Sequence, residues 1–374
     1  MPRLAQVIRP HIEPGRRVIA VSDIHGNLPF LKGVLDKAGF TPDDVLIIVG
    51  DLLEKGQESL ATLRHVLELQ KTHTVYALCG NCDDIAQAFL EDRPGIDKAV
   101  WPFFSYWRER FLLVQMAAEA GLPLPERADD MPALRAALLD RFPAETGFLL
   151  NLPTILEVGN FLFVHGGVPR EDRLDELEAY PCMKNDDFLG QGHSFHKWVV
   201  VGHWPVTLYN SHIQRSVPLI DRDRHIASID GGCVLKVDGQ LNALIIPDVY
   251  GDTLDYTWYD GLERVTALDG QEASPDSLNI RWSDSVVDIL REDGDCVLVR
   301  HPTSGRELWL PRDFVSVWPR DGLIHTEDAT DYRLPVSPGD TLSLVRETQR
   351  GFLVKTGGIT GWYYGEIKYG EKST

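Results

Sequence analysis

Six side chains with the donor chemistry of a metal site stand just after apolar runs: Asp23 and His25 in SDIHGN, Asp51 in GDLLEKG, Asn81 in GNCDD, His165 in FVHGGVP and His203 in VVVGHWP. Carboxylate, carboxamide and imidazole donors in one set suit divalent transition ions such as manganese, iron or zinc better than calcium, which prefers oxygen shells. Six donors are too many for one catalytic ion with open positions. They suit two ions about 3.5–4 Å apart that share a carboxylate, the arrangement that serves in-line displacement at phosphorus. Each residue alone has an ordinary reading: Asp23 as a helix cap, Asn81 as a turn residue, His203 as a hydrogen-bonded core imidazole. That all six follow apolar strands argues for one joint site.

The elements that must position these residues are legible in the hydrophobic pattern. Apolar runs RVIAVS (17–22), VLIIV (45–49) and TVYAL (74–78) alternate with helical patterns over 28–38 and 58–71. Fully apolar strands separated by helices predict an α/β fold whose sheet is covered on both faces, with ligand loops at the strand ends. Residues 85–148 read as an inserted helical lobe. Strand patterns resume at TILEV, FLFV, WVVV and HIASID, and GCVLKV and LNALII flank Asp238-Gly239, a hairpin signal. This organisation predicts a catalytic domain over 1–250, an acidic linker or wrap-around segment over 251–279 and a β-rich region over 280–374. In that last region GDCVLVRHPTSGRELWLPRDFV and RGFLVKTGGITGWYYGEI read as two weak repeats, with Gly305 and Gly361 equivalent. They suggest small β-barrels, and GWYYGEI resembles the middle strands of Src-homology-type barrels.

Composition narrows the function classes. The 374 residues carry 37 Lys plus Arg against 56 Asp plus Glu, a formal charge of −19, which argues against a nucleic-acid groove. Residues 251–374 are the more acidic part per residue, so a basic protein partner is expected there if anywhere. No apolar run of about 18 residues and no apolar leader stand out, so a cytoplasmic protein without a membrane span is expected. Five cysteines, Cys79, Cys82, Cys182, Cys233 and Cys296, do not suggest a disulfide framework. Cys79 and Cys82 form a C-x-x-C, but the second pair of a zinc knuckle and the other marks of a redox fold are missing.

The ordered set SDIHG, GDLLEKG, GNCD, HGG and GH resembles the calcineurin-like metallophosphoesterases. Within them it is most similar to the phosphoprotein phosphatase (serine/threonine phosphatase-like) branch of bacterial type. The likeness rests on the 28- and 30-residue spacings of Asp23, Asp51 and Asn81 and on the HGGVP loop, over about residues 17–246. It implies a two-layer β-sandwich flanked by helices, with two divalent ions, manganese first and iron or zinc as alternatives. It further implies that Asp23 and His25 bind the first ion, Asp51 bridges, and Asn81, His165 and His203 bind the second, with a bridging hydroxide as nucleophile.

Two departures bear on the reaction. The branch usually reads GNHE at its third motif, with the His and its acidic partner protonating the leaving group; here Cys82 and Asp83 stand there. A thiol with a pKa near 8.5 is a weaker proton donor than imidazolium, so substrates with good leaving groups are expected. The second motif has Glu54-Lys55 where Asp-Arg is usual, so phosphate would be held by the point charge of Lys55, or by Lys184 or Arg170. The expected activity is a phosphomonoesterase of protein-phosphatase type acting on a phosphorylated small molecule or phosphopeptide. GNCD also resembles bacterial phosphodiesterases of the superfamily, which keeps diester or dinucleoside-polyphosphate hydrolysis as an alternative, and a catalytically weak phosphate sensor as a second. Asp230 in IDGGCV is a candidate to orient a metal-bound His or water. His193 and His196 read as rim or surface residues.

Overall fold

The computed structural model describes residues 2–370, in which the chain divides into two compact units. The first comprises residues 2–204, 218–234 and 241–259, and the second 205–217, 235–240 and 260 onward. In chain order the strands through residue 259 are β1 (Val7–Ile8), β2 (Val18–Val21), β3 (Val45–Ile48), β4 (Thr74–Ala77), β5 (Ile155–Val158), β6 (Phe161–Val164), β7 (Trp198–Val201), β8 (Gln214–Arg215), β9 (Leu219–Asp221), β10 (Ile226–Ser228), β11 (Leu241–Ile246) and β12 (Asp255–Tyr259). All but β8 belong to the first unit.

Two sheets build that unit, ordered β12-β11-β2-β3-β4 and β1-β5-β6-β7-β10-β9. In the first, β2, β3 and β4 are parallel; in the second, β6, β7 and β10 are. The pleat explains the fully apolar runs. Val18 and Ala20 of β2 and Val45 and Ile47 of β3 share a core with Leu156, Phe161, Phe163, Trp198 and Val200 of the other sheet. Their alternates Ile19, Val21, Leu46 and Ile48 pack instead with Leu31 and Val34 of α1 (Leu28–Lys37) and Leu63 and Val66 of α2 (Ser59–Leu69). Each such side chain contributes about 1.5–3 kcal/mol by leaving water, so neither face tolerates a polar alternate. The result is a two-layer sandwich with helices on an outer face, the arrangement that the family resemblance implies.

Residues 83–150 are helical: α3 (Asp83–Leu90), α4 (Ile96–Tyr106), α5 (Leu112–Glu119), α6 (Met131–Arg141) and α7 (Pro143–Leu150). They join the core that backs β2–β4 through Phe89, Phe104, Phe111, Leu113, Leu138 and Leu149.

Three expectations need correction. Asp238-Gly239 is not a hairpin turn, because residues 232–237 form no strand. Lys355 Nζ donates to the Asp238 carbonyl at 2.6 Å and Thr360 Oγ1 to its carboxylate, so these buried tertiary partners override the local turn signal. The 251–279 stretch, read as an acidic linker or wrap-around segment, contains β12, antiparallel to β11, and the strand Glu263–Ala267, antiparallel to Thr341–Thr348. Its acidic residues Asp255 and Glu263 face solvent, which is why composition concealed the strands.

The C-terminal strands form an open sheet of six, in the order Ile367–Tyr369, Glu263–Ala267, Thr341–Thr348, Gly351–Thr356, Ile359–Tyr363 and β8. A three-stranded sheet, Asp288–Asp293, Cys296–His301 and Arg306–Pro311, accompanies it. No closed barrel is present among the described residues. Gly305 lies in a turn at φ +70°, whereas Gly361 is inside a strand, where a Cβ would come within 2.8 Å of the Tyr332 carbonyl oxygen; the two are not equivalent.

Candidate metal centre

Parallel strands deliver their carboxyl ends to one place. Asp23 and His25 follow β2, Asp51 follows β3, Asn81 follows β4, His165 follows β6, His203 follows β7 and Asp230 follows β10. The loops bend sharply to aim these side chains. Asp23, His25, Asp51 and His203 all have left-handed backbones, at φ 57°, 51°, 48° and 66°. Each such residue costs about 1–3 kcal/mol unless its surroundings hold it, and strain of this kind concentrates at functional sites. Here the surroundings are hydrogen bonds between loops: Asp23 N–H to the Gly50 carbonyl (3.1 Å), His25 N–H to the Asp51 carbonyl (3.0 Å) and Gly26 N–H to the Leu52 carbonyl (2.9 Å).

The side chains converge. His25 Nε2 lies 3.8 Å from both Asp23 Oδ1 and Asp51 Oδ2, and His165 Nε2 lies 3.4 Å from Asp51 Oδ1. The His165 and His203 rings are 5.2 Å apart, and the His203 backbone N–H donates to Asp23 Oδ2 at 2.9 Å. One ligand atom each from His25, Asp51 and Cys82 falls within 4.8 Å of the others, and the same holds for Asp23, Asp51 and His165. Asp51 is common to both trios. Asn81 Oδ1 and His165 Nε2 are buried with no hydrogen-bond partner, an arrangement that costs free energy unless a cation accepts their lone pairs. The donor set therefore fits divalent cations.

The charges say the same. Asp23, Asp51, Glu54, Asp83 and Asp230 are all buried, with His25 and His165, in a region that excludes water. Burial pushes Asp23 up to about 6 and Asp83 up to about 7, and lowers His25 to about 3 and His203 to about 4. Burial also opposes the charged forms of Asp51 and His165. Their mutual attraction outweighs it, holding the Asp51 carboxyl well below the usual carboxylate range and raising His165 to about 10. Without a metal, a proton on the His165 ring neutralises part of the buried negative charge.

The remaining predicted residues divide. Lys55 reaches the cluster, with Nζ 3.5 Å from His25 Nε2. Cys82 is buried beside Asp51, its backbone N–H donating to Asp51 Oδ1 at 2.8 Å; burial and that carboxylate push the thiol up. Asp83 is placed differently from its expected role as acid partner. Its carboxylate accepts the backbone N–H groups of Leu52, Leu53 and Gly80, at 3.3, 3.1 and 3.0 Å, so it ties the second loop to the third.

Asp230 is buried, with Oδ1 accepting from Gly232 N–H at 2.8 Å and Oδ2 unpartnered. Lys184 Nζ stands 3.1 Å from His203 Nε2. Arg170 does not join the cluster; it is half-exposed beside Asp172 and Glu176. His196 pairs with Glu171 in solvent and His193 packs near Phe188. Cys79 packs in the core behind β4.

Two neighbours were not legible in the sequence. Asp186 Oδ1 sits 2.8 Å from His203 Nε2, and Ser22 Oγ donates to Asp23 Oδ2 at 2.6 Å. Both occupy ordinary polar positions whose partners lie far along the chain or on the same bend.

A family model for calcineurin-like phosphoesterases matches residues 16–229. The chain belongs to that family. This calcineurin-like phosphoesterase is 28% identical over 180 residues to a symmetrical bis(5'-nucleosyl)-tetraphosphatase of Photobacterium profundum, covering 45% of the chain and 53% of the relative. It is 23% identical over 206 residues to Shewanella-like protein phosphatase 2 of Arabidopsis thaliana, covering 44% and 50%. The chain thus spans about half the length of the curated relatives it matches. A cold-active protein-tyrosine phosphatase of a psychrophilic Shewanella species aligns with a TM-score of 0.39 and 16% identity, over 68% of this chain and 83% of that one. Phosphoesterases of this family work with divalent metal ions, for which the cluster supplies candidate ligands. No helix among the described residues is long and apolar enough to cross a membrane.

Proposed function

We propose that the phosphoesterase hydrolyses phosphate esters or anhydrides with good leaving groups, using two divalent ions held by Asp23, His25, Asp51, Asn81, His165 and His203. The observation that carries this reading is the convergence of Asp23, His25 and His165 on the Asp51 carboxylate, with buried Asn81 Oδ1 and His165 Nε2 left without hydrogen-bond partners. When bound, the ions would supply a water nucleophile at neutral pH and neutralise charge on the phosphoryl group. The chain's own residues do the rest. Asp51 holds the two halves of the site together, and Lys55 brings a cation to the phosphate oxygens. Asp83 fixes the loops carrying Asp51 and Asn81, and Asp186 orients the His203 ring. Cys82 occupies the position where the leaving group would take a proton. A thiol there favours leaving groups that depart as anions, such as aryl oxides and phosphates.

Among good leaving groups the anhydrides of dinucleoside polyphosphates are the second reading, favoured by the likeness to the symmetrical tetraphosphatase. The test is turnover of aryl phosphates of graded leaving-group pKa, and of a dinucleoside tetraphosphate, with manganese added. Rates should fall steeply as the leaving group becomes more basic and vanish in Asp51→Asn and His203→Ala. A flat dependence refutes the leaving-group argument, and metal-independent turnover refutes the metal assignment.

A further inference from the structure

Beside the candidate centre lies a cavity of about 260 Å³ whose walls include Lys55, Gly56, Gln57, Glu58, Asn27 and Arg110. That volume is below the roughly 300–1,000 Å³ of pockets that enclose a whole small-molecule ligand, so it suits one group of a larger substrate. Its two cations come from different parts of the chain. Lys55 belongs to the loop after β3, while Arg110 closes the short turn Arg108–Arg110 between α4 and α5 of the helical insertion.

The turn is fastened to the Lys55 loop at several points. Glu54, next to Lys55, accepts the Leu112 N–H through Oε2 at 3.0 Å. Gln115 Nε2 donates to the Gln57 carbonyl at 3.2 Å and to the Glu109 carbonyl at 2.6 Å, and Gln115 Oε1 accepts the Leu60 N–H at 2.8 Å. Phe111, immediately after Arg110, is fully buried against Phe104 and Trp107. The Arg110 side chain is exposed and makes no ion pair or hydrogen bond, so its five donors are available. Glu54 and Gln115 thus together join the insertion to the loop of Lys55.

We propose that Arg110 and Lys55 form a cationic subsite for a second phosphate carried next to the reacting one, so that the insertion selects substrates with a polyphosphate chain. This rests on the reading of the adjacent cluster as the phosphoryl site. Lys55 faces both the cluster and the cavity, and so sits between the two phosphates. Arg110, with its planar fork, grips the farther one. Glu58 is the one acidic group on the wall, half-buried at the start of α2, and it moderates the attraction.

The test is isothermal calorimetry of the manganese-loaded protein, metal in fixed excess, with inorganic triphosphate and orthophosphate as probes. Wild type should bind triphosphate about tenfold more tightly than orthophosphate, the worth of one charge-assisted contact. Arg110→Ala should abolish that preference. Gln115→Ala keeps both cations but frees the turn, and should weaken the preference. Glu58→Gln should increase it. A triphosphate-to-orthophosphate ratio that is the same in wild type and Arg110→Ala overturns the subsite. Arg110-dependent triphosphate binding without orthophosphate binding would keep the subsite and overturn the phosphoryl-site reading.

Discussion

A single methyl group at position 80 should disable the centre while leaving the fold standing. A Cβ on Gly80 would sit 2.2 Å from both the Asp51 backbone nitrogen and Asp51 Oδ1. Comfortable contact needs roughly 3.5 Å, so something must move by about 1 Å. Asp51 cannot yield easily. It is held at φ 48°, its Oδ1 accepts the Cys82 N–H at 2.8 Å and faces His165 Nε2 at 3.4 Å. The displacement therefore falls on the loop of Gly80 and shifts Asn81 away from Asp51, the two residues proposed to bind metal from neighbouring loops.

Overpacking of this kind costs about 1–3 kcal/mol of stability, and a misplacement of about 1 Å at a reacting centre costs roughly 100-fold in rate. The assay is metal-saturated turnover of an aryl phosphate by Gly80→Ala, with the melting temperature measured in parallel. Gly147→Ala is the control, because a Cβ there meets nothing within 4 Å on α7. It should stabilise by about 0.5–1 kcal/mol and leave turnover alone. If Gly80→Ala keeps turnover within about threefold of wild type, the claim that Asp51 is immovably placed at the reacting centre is wrong.

Metal uptake should depend on pH, and a buried charge pair in the second unit should prove costly to break. With His165 raised to about 10, its ring is protonated at neutral pH in the metal-free protein and a metal must displace that proton. Affinity should therefore rise about tenfold per pH unit between about 7 and 9, and fall more steeply below about 6, where Asp23 also takes up a proton. Calorimetry in buffers of different ionisation enthalpy should count about one proton released, and a pH-independent affinity would contradict this. Lys236 Nζ pairs with Asp328 Oδ2 at 2.8 Å, with side chains 10% and 3% exposed. Lys236→Ala strands the buried carboxylate and should cost about 3–5 kcal/mol in urea unfolding, much of it recovered in the double variant with Asp328→Ala; a loss under about 1 kcal/mol would show the pair to be dispensable.

What the sequence by itself determined is the part of the molecule written in local patterns. Continuous apolar runs specify strands buried on both faces, because a pleat exposes alternate side chains to opposite layers, and β2 and β3 bury all eight of their residues in just that way. The positions of Asp23, His25, Asp51, Asn81, His165 and His203 were legible because parallel strands end on one edge, so residues following apolar runs must gather there.

Contacts between distant segments were not legible, since nothing in a residue's neighbours records its partner across the fold. Asp238-Gly239 has the form of a hairpin turn, yet Lys355 and Thr360 hold it in a buried site over a hundred residues away. Asp83 has the type and place of an acid partner, but three backbone N–H groups occupy its carboxylate. Asp186 beside His203, and Arg110 beside Lys55, are ordinary surface residues in sequence. Only the tertiary structure makes them neighbours of the site, because the loops that carry them are placed by packing and long-range hydrogen bonds rather than by their own sequence.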